Sequence, residues 1–271
     1  MTASPPAGIR SFPSSVGRVF SVFFQQGRRA RRTRFFWLFS FLPVAVSLVI
    51  KFNQIFSERP GREGVYLFSN LIMLFYLQMI ILITALFFGT SVCLEEIEGK
   101  TLPYLLTRPV AKAAVVVGKY AAYTVIMIGM VSVGLVLSFL FLNLNHLSDP
   151  SLYGLLGRYL GVLILGLIAY GAFFTFLGSA FKRAIFIGLL FSFGWENVIQ
   201  YFPGSSQRLA IAHYLKSFLP TAAPGGRFSF LTFRLEPTAP RLALLVLFGL
   251  TAVFLTLACV LFSKKEYVLE D

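Results

Sequence analysis

The sequence predicts an all-α integral membrane protein built as a bundle of six transmembrane helices. Hydrophobic residues fill 57% of its 271 positions and charged residues only 13%, whereas soluble domains carry about a quarter charged residues. The apolar residues gather in six runs, 35–56, 65–94, 113–142, 155–181, 184–202 and 240–262, and a helix needs roughly twenty residues to cross about 30 Å of hydrocarbon. The net charge of +13 sits mainly in segments between the runs, the pattern of cytoplasmic loops in a multi-pass chain rather than of a nucleic-acid partner.

The elements follow in order. Residues 1–34 form a tail in which Val16, Val19, Phe20, Phe23 and Phe24 share one helical face, with Ser14 or Ser15 as N-cap and Arg28, Arg29, Arg31 and Arg32 directly after. This spacing predicts an amphipathic interfacial helix lying flat on an anionic leaflet before the chain turns into the first span. The spans occupy 35–262. The first starts after thirty-four residues and ends without a small-residue cleavage site, so it is read as a retained span and not a signal peptide. The second and third exceed what a crossing needs and should tilt or project. Gly157 and Gly161 open the fourth with one GxxxG, which permits close helix approach.

In the loop 203–239, Ile211, Tyr214, Leu215, Phe218 and Leu219 share a helical spacing behind Ser205 or Ser206, predicting a short helix packed on the outer face of the bundle. Glu196, next to Asn197 near the outer end of the fifth run, is the one acid inside a span. An intramembrane carboxylate is by default a functional candidate, here for the pathway or a gate, although an aromatic belt can also hold one at interfacial water. Residues 263–271 form the C-terminal tail.

Six spans put both termini on one side. That side collects Arg10, Arg18, Arg28, Arg29, Arg31, Arg32 and Arg34 with Lys100, Arg108, Lys112, Lys119, Lys182, Arg183, Lys264 and Lys265. Both termini are therefore read as cytoplasmic.

The same side holds the segment CLEEIEGKTLPYLLTRPV, residues 93–110. Carboxylates at the C-terminal end of a helix face its negative pole, so Glu95, Glu96 and Glu98 need another reason to be there. Gly99 can end the helix, Thr101 can cap the next, Pro103 fits its first turn, Leu102, Leu105 and Leu106 share a face, and Arg108-Pro109 closes it. The loop 95–112 thus reads as a short cytoplasmic helix between spans two and three. Its three acids balance Lys100, Arg108 and Lys112, which suits a protein surface better than anionic lipid.

Several chemistries lack their residues. Gly99-Lys100-Thr101 is not a phosphate loop, because GxxxxGK[ST] requires glycine where Leu94 stands. There is no HExxH, Cys93 and Cys259 have no second ligand nearby, and Ser192 lacks the first glycine of a nucleophile elbow. No catalytic, metal or cofactor-binding residue is expected in this chain, and it is read as a non-enzyme.

Glu96-Ile-Glu-Gly99, Thr101-Leu102, Tyr104-Leu-Leu-Thr-Arg-Pro-Val110 and Gly118-Lys119 together resemble the segment between the second and third spans of ABC-2 type permeases, the membrane subunits of certain ATP-binding cassette transporters. The resemblance covers residues 93–119; Lys100 between Gly99 and Thr101 departs from the pattern. It implies a permease that forms a dimer, or pairs with a second permease, and docks separate ATPase subunits that bind ATP and Mg. Glu95, Glu96, Glu98, Gly99, Thr101, Leu102, Leu105, Leu106, Arg108 and Pro109 would form the coupling surface, with the acids meeting basic groups of the ATPase or of the N-terminal arginines. Export across a bacterial-type inner membrane is the direction it implies. An ion-coupled carrier and a non-transporting scaffold are the alternatives. The spans carry almost no charge and show no repeated halves, which weighs against the carrier.

Overall fold

A computed structural model describes residues 12–56, 68–69, 72–98, 112–144, 148–199, 205–219 and 238–264. Among them the secondary structure is helical, without strands. In chain order the helices are α1 (Phe12–Arg29), α2 (Arg31–Ser40), α3 (Leu42–Phe56), a π-helical stretch Ile72–Ile80 leading into α4 (Ile81–Glu98), α5 (Lys112–Leu142), α6 (Pro150–Ala180), α7 (Ala184–Leu190), a second π-helical stretch Phe191–Trp195 leading into α8 (Glu196–Val198), α9 (Ile211–Lys216) and α10 (Pro240–Lys264).

Five helical segments are long and apolar enough to cross a membrane: Arg31–Asn53, Phe75–Glu95, Lys112–Leu142, Pro150–Ala180 and Pro240–Lys264. The remaining predicted run is the shorter apolar helix Ala184–Val198, about 22 Å at 1.5 Å per residue. At 31 residues each, α5 and α6 reach about 46 Å and exceed the hydrocarbon thickness.

The core forms where α4, α5 and α6 meet, with Leu86, Phe88, Met127, Val131, Tyr170 and Phe174 buried among them. Apolar side chains gain little by leaving lipid for a helix interface, so close backbone approach and van der Waals packing must hold the bundle. Glycines supply the approach. A Cβ on Gly178 of α6 would lie 2.7 Å from the Thr90 carbonyl oxygen of α4, and one on Gly89 of α4 would lie 2.9 Å from the Gly171 oxygen of α6.

The predicted GxxxG pair does not serve this purpose. A Cβ on Gly157 or Gly161 would meet nothing within 4 Å, so close approach within the chain uses Gly89 and Gly178 instead. Gly178→Ala is accordingly expected to cost about 2 kcal/mol by overpacking against main chain, whereas Gly157→Ala should change little. Thermal unfolding of the purified chain in detergent checks both.

The N-terminal helix departs from expectation. Its less exposed residues are those of the predicted face, but that face packs on α5. A Cβ on Gly118 would strike Val19 at 2.8 Å and the Val16 oxygen at 3.0 Å, and one on Gly27 would strike Ile126 at 2.7 Å. The contact advances eight residues from Val19 to Gly27 on α1 and eight from Gly118 to Ile126 on α5, so the two helices run alongside each other. A glycine on α5 opens a protein groove that receives part of this face, and its residues stay partly exposed. Nor do Ser14 and Ser15 cap it, since the helix already begins at Phe12 and both lie in its first turn.

Candidate functional site

Two polar clusters stand out in a bundle this apolar. The first joins the helices that flank the loop between spans two and three. Glu95 lies three residues before the end of α4, and Lys119 two turns into α5. Lys119 is fully buried, and its Nζ lies 2.9 Å from Glu95 Oε2. The Tyr123 hydroxyl donates to the same oxygen at 2.8 Å. On the other carboxylate oxygen, Oε1, sits the Arg32 guanidinium, delivered by α2.

Aromatic rings enclose both cations. Arg32 lies 4.7 Å from the Tyr123 centroid and 5.3 Å from that of Phe88, and the Lys119 ammonium lies 4.8 Å from Phe23 of α1. Ring faces are negative, so each cation keeps an attractive environment where water is scarce. The elbow that presents Arg32 is itself fastened. Ala30 takes an extended backbone between α1 and α2, and the Thr33 hydroxyl donates to the Gly27 carbonyl at 2.6 Å. The arrangement is a clamp in which one carboxylate ties α2, α4 and α5 together at the base of the loop.

The other predicted coupling residues fall mostly outside the described residues. Glu96 and Glu98 lie on the last turn of α4, and nothing is described of their side chains. Gly99, Thr101, Leu102, Leu105, Leu106, Arg108 and Pro109 belong to 99–111, outside the described residues.

In the second cluster, Glu196 is 1% exposed. Its carboxylate accepts from the backbone N–H groups of Ile211 at 3.0 Å and Ala212 at 3.4 Å. Those are the first two residues of α9, so the acid caps a helix fifteen positions further on, where a negative charge meets the positive pole of the helix. The expected cap, Ser205 or Ser206, instead begins the 3₁₀ turn Ser205–Leu209. Lys216, at the far end of α9, is also buried. Burial lowers its pKa to about 8, a shift that the charge of Glu196 partly opposes.

The loop helix is fastened on its other side as well. His213 Nε2 lies 3.0 Å from Thr238 Oγ1, and the Thr238 N–H donates to Ser217 Oγ at 3.2 Å, two residues before α10 begins. Leu215 rests where a Cβ on Gly166 of α6 would stand, 3.2 Å away. Helix α9 is thus a strut between the middle of α6, α8 and the residues that lead into α10. Asn197, the other predicted pathway residue, donates through Nδ2 to the Ser192 carbonyl at 2.9 Å, bridging the π-helical stretch.

Local sequence patterns do not single out Lys119 and Tyr123 as partners of Glu95. Lys119 is the one charge within the run 113–142, and a lone ionisable residue in a span calls for a partner. Among the described residues no group of three or more His, Cys, Asp or Glu side chains could hold a metal ion.

A search of the curated proteins finds no match. The family model described as "ABC-2 family transporter protein" matches residues 22–267, a range that takes in both clusters and all five long apolar segments. The chain belongs to the ABC-2 transporter family.

Proposed function

We propose that this chain is the membrane-spanning permease subunit of an ATP-binding cassette transporter, with six crossings, both termini cytoplasmic, and residues 99–111 docking on a separate ATPase. Family membership supports the permease role. The single observation that carries the coupling is the clamp. Because Glu95, Lys119 and Arg32 tie together the two stems of the loop and the elbow of the N-terminal helix, force on the loop is passed to α2, α4 and α5 as one body. Rigid-body displacement of packed helices is a recurrent way of moving a binding event across a protein.

In this reading Glu95 serves the clamp, and the docking face is supplied by Glu96, Glu98, Leu102, Leu105 and the residues after them. The short helix Ala184–Val198 counts as the fifth crossing, its shortfall of about 8 Å made up by α9 packed at its outer end. Glu196 then holds the strut that closes the outer side, and dimerisation completes a pathway whose direction is export.

Leu102→Asp with Leu105→Asp, and separately Glu98→Lys, should abolish retention of the ATPase and ATP-driven transport while the chain still inserts at normal levels. Unchanged transport by these variants would sink the docking proposal.

A further inference from the structure

Helix α2 has two faces with different partners. Its inner face carries Thr33, Phe36 and Ser40, all buried, beside Arg32 on the clamp. Its outer face is read at i, i+3, i+4 and i+7: Arg31, Arg34, Phe35 and Leu38, all exposed, with Phe35 at 64% and Leu38 at 74%. Trp37, also exposed, stacks on Phe41 one turn on.

This outer face is graded along its length. Two guanidiniums stand at one end, and a ring and an isobutyl group follow over the next turn, about 5–6 Å further on. Arg28 and Arg29 are exposed just across the elbow. Among the described residues, no ion pair involves Arg28, Arg29, Arg31 or Arg34. The gradation matches a phospholipid, a phosphate above an acyl chain, and Trp37 marks the level of the membrane interface. Arginine presents a planar fork of donors suited to phosphate oxygens.

We propose that the outer face of α2 is a binding site for an anionic phospholipid, its headgroup on Arg31 and Arg34 and an acyl chain along Phe35 and Leu38. Because Arg32 projects from the other side of the same ten-residue helix, a bound lipid steadies α2 and with it the clamp on Glu95. The proposal rests on the cytoplasmic placement of the N-terminus and deepens the reading above by naming lipid as a regulator of the clamp.

The chain has two tryptophans, so Trp195→Phe leaves Trp37 as the reporter. With the full chain in vesicles, brominated phosphatidylglycerol is expected to quench Trp37 at roughly 25-fold lower mole fraction than brominated phosphatidylcholine, since each of the two arginines is worth about fivefold. Arg31→Gln with Arg34→Gln should remove most of that preference. Arg31→Lys with Arg34→Lys, which keeps the charge that orients the chain, should retain an intermediate preference. Arg18→Gln, elsewhere on α1, should leave the preference unchanged. Equal quenching by both lipids in the parent, or equal loss on Arg18→Gln, would overturn the site. The readout needs no ATPase, so failure of the lipid site and failure of the permease reading are seen separately; protease protection of an N-terminal tag reports the orientation independently.

Discussion

Glu95→Ala is expected to lower the stability of the folded chain by about 3 kcal/mol, measured as a fall in the unfolding midpoint in detergent. The cost comes less from losing an attraction than from what remains. Lys119 has no solvent exposure, and with the carboxylate gone its charge stays in a low-dielectric interior with ring faces as its main compensation. Glu95 itself is 40% exposed, so the reverse change, Lys119→Met, leaves a carboxylate that still holds Arg32 and can reach water; it should cost about 1 kcal/mol. The double variant Glu95→Ala, Lys119→Met should recover most of the loss, because the fully buried charge is then gone and the cation that remains, Arg32, is partly exposed. Additive losses in the double variant would show that the two side chains act independently.

Glu196→Ala should have an effect of similar size, about 3 kcal/mol, concentrated around α9. The substitution strands the N–H groups of Ile211 and Ala212, which the carboxylate accepts at 3.0 and 3.4 Å, and each buried unsatisfied donor costs about 1–3 kcal/mol. It also removes the opposite charge near buried Lys216. Helix α9 has only six residues, too few to persist without tertiary support. Amide hydrogen exchange over 205–219 should therefore rise sharply, while exchange in α4 and α5 and retention of the ATPase stay as in the parent. Glu196→Gln keeps an oxygen acceptor and should restore part of the protection. Unaltered exchange across 205–219 in Glu196→Ala would remove the acid from the role of strut anchor.

The helical membrane class was legible because it depends on composition and run length, properties that need no tertiary information. Lys112–Leu142 illustrates this, since an apolar stretch of that length has few stable states besides a membrane helix. What local patterns cannot disclose is which surface a face will meet. Val16, Val19, Phe20, Phe23 and Phe24 mark an apolar face equally well for lipid and for protein, and the choice is made by Gly118, a hundred residues away, whose missing side chain admits Val19. The cap of α9 was hidden for a similar reason. Serines near a helix start are ordinary caps, and nothing adjacent in sequence announces that Glu196 reaches across to do the work. The intrachain partners of Glu95 are half visible in the sequence, because the N-terminal arginines are candidates from their charge, whereas Lys119 stands in a motif that masks its isolation in an apolar run.

The two clusters join different parts of the chain. The clamp unites the stems of the loop that would receive force, and the strut holds α8 to α6 and to the start of α10, with α6 in contact with both α4 and α9. Purification of the chain from its native membrane in mild detergent tests the central claim most directly. An ATP-binding subunit should accompany it in equal amount and be lost on Leu102→Asp with Leu105→Asp. A chain that purifies alone, and that moves solute in a proton or sodium gradient without ATP, would contradict the account.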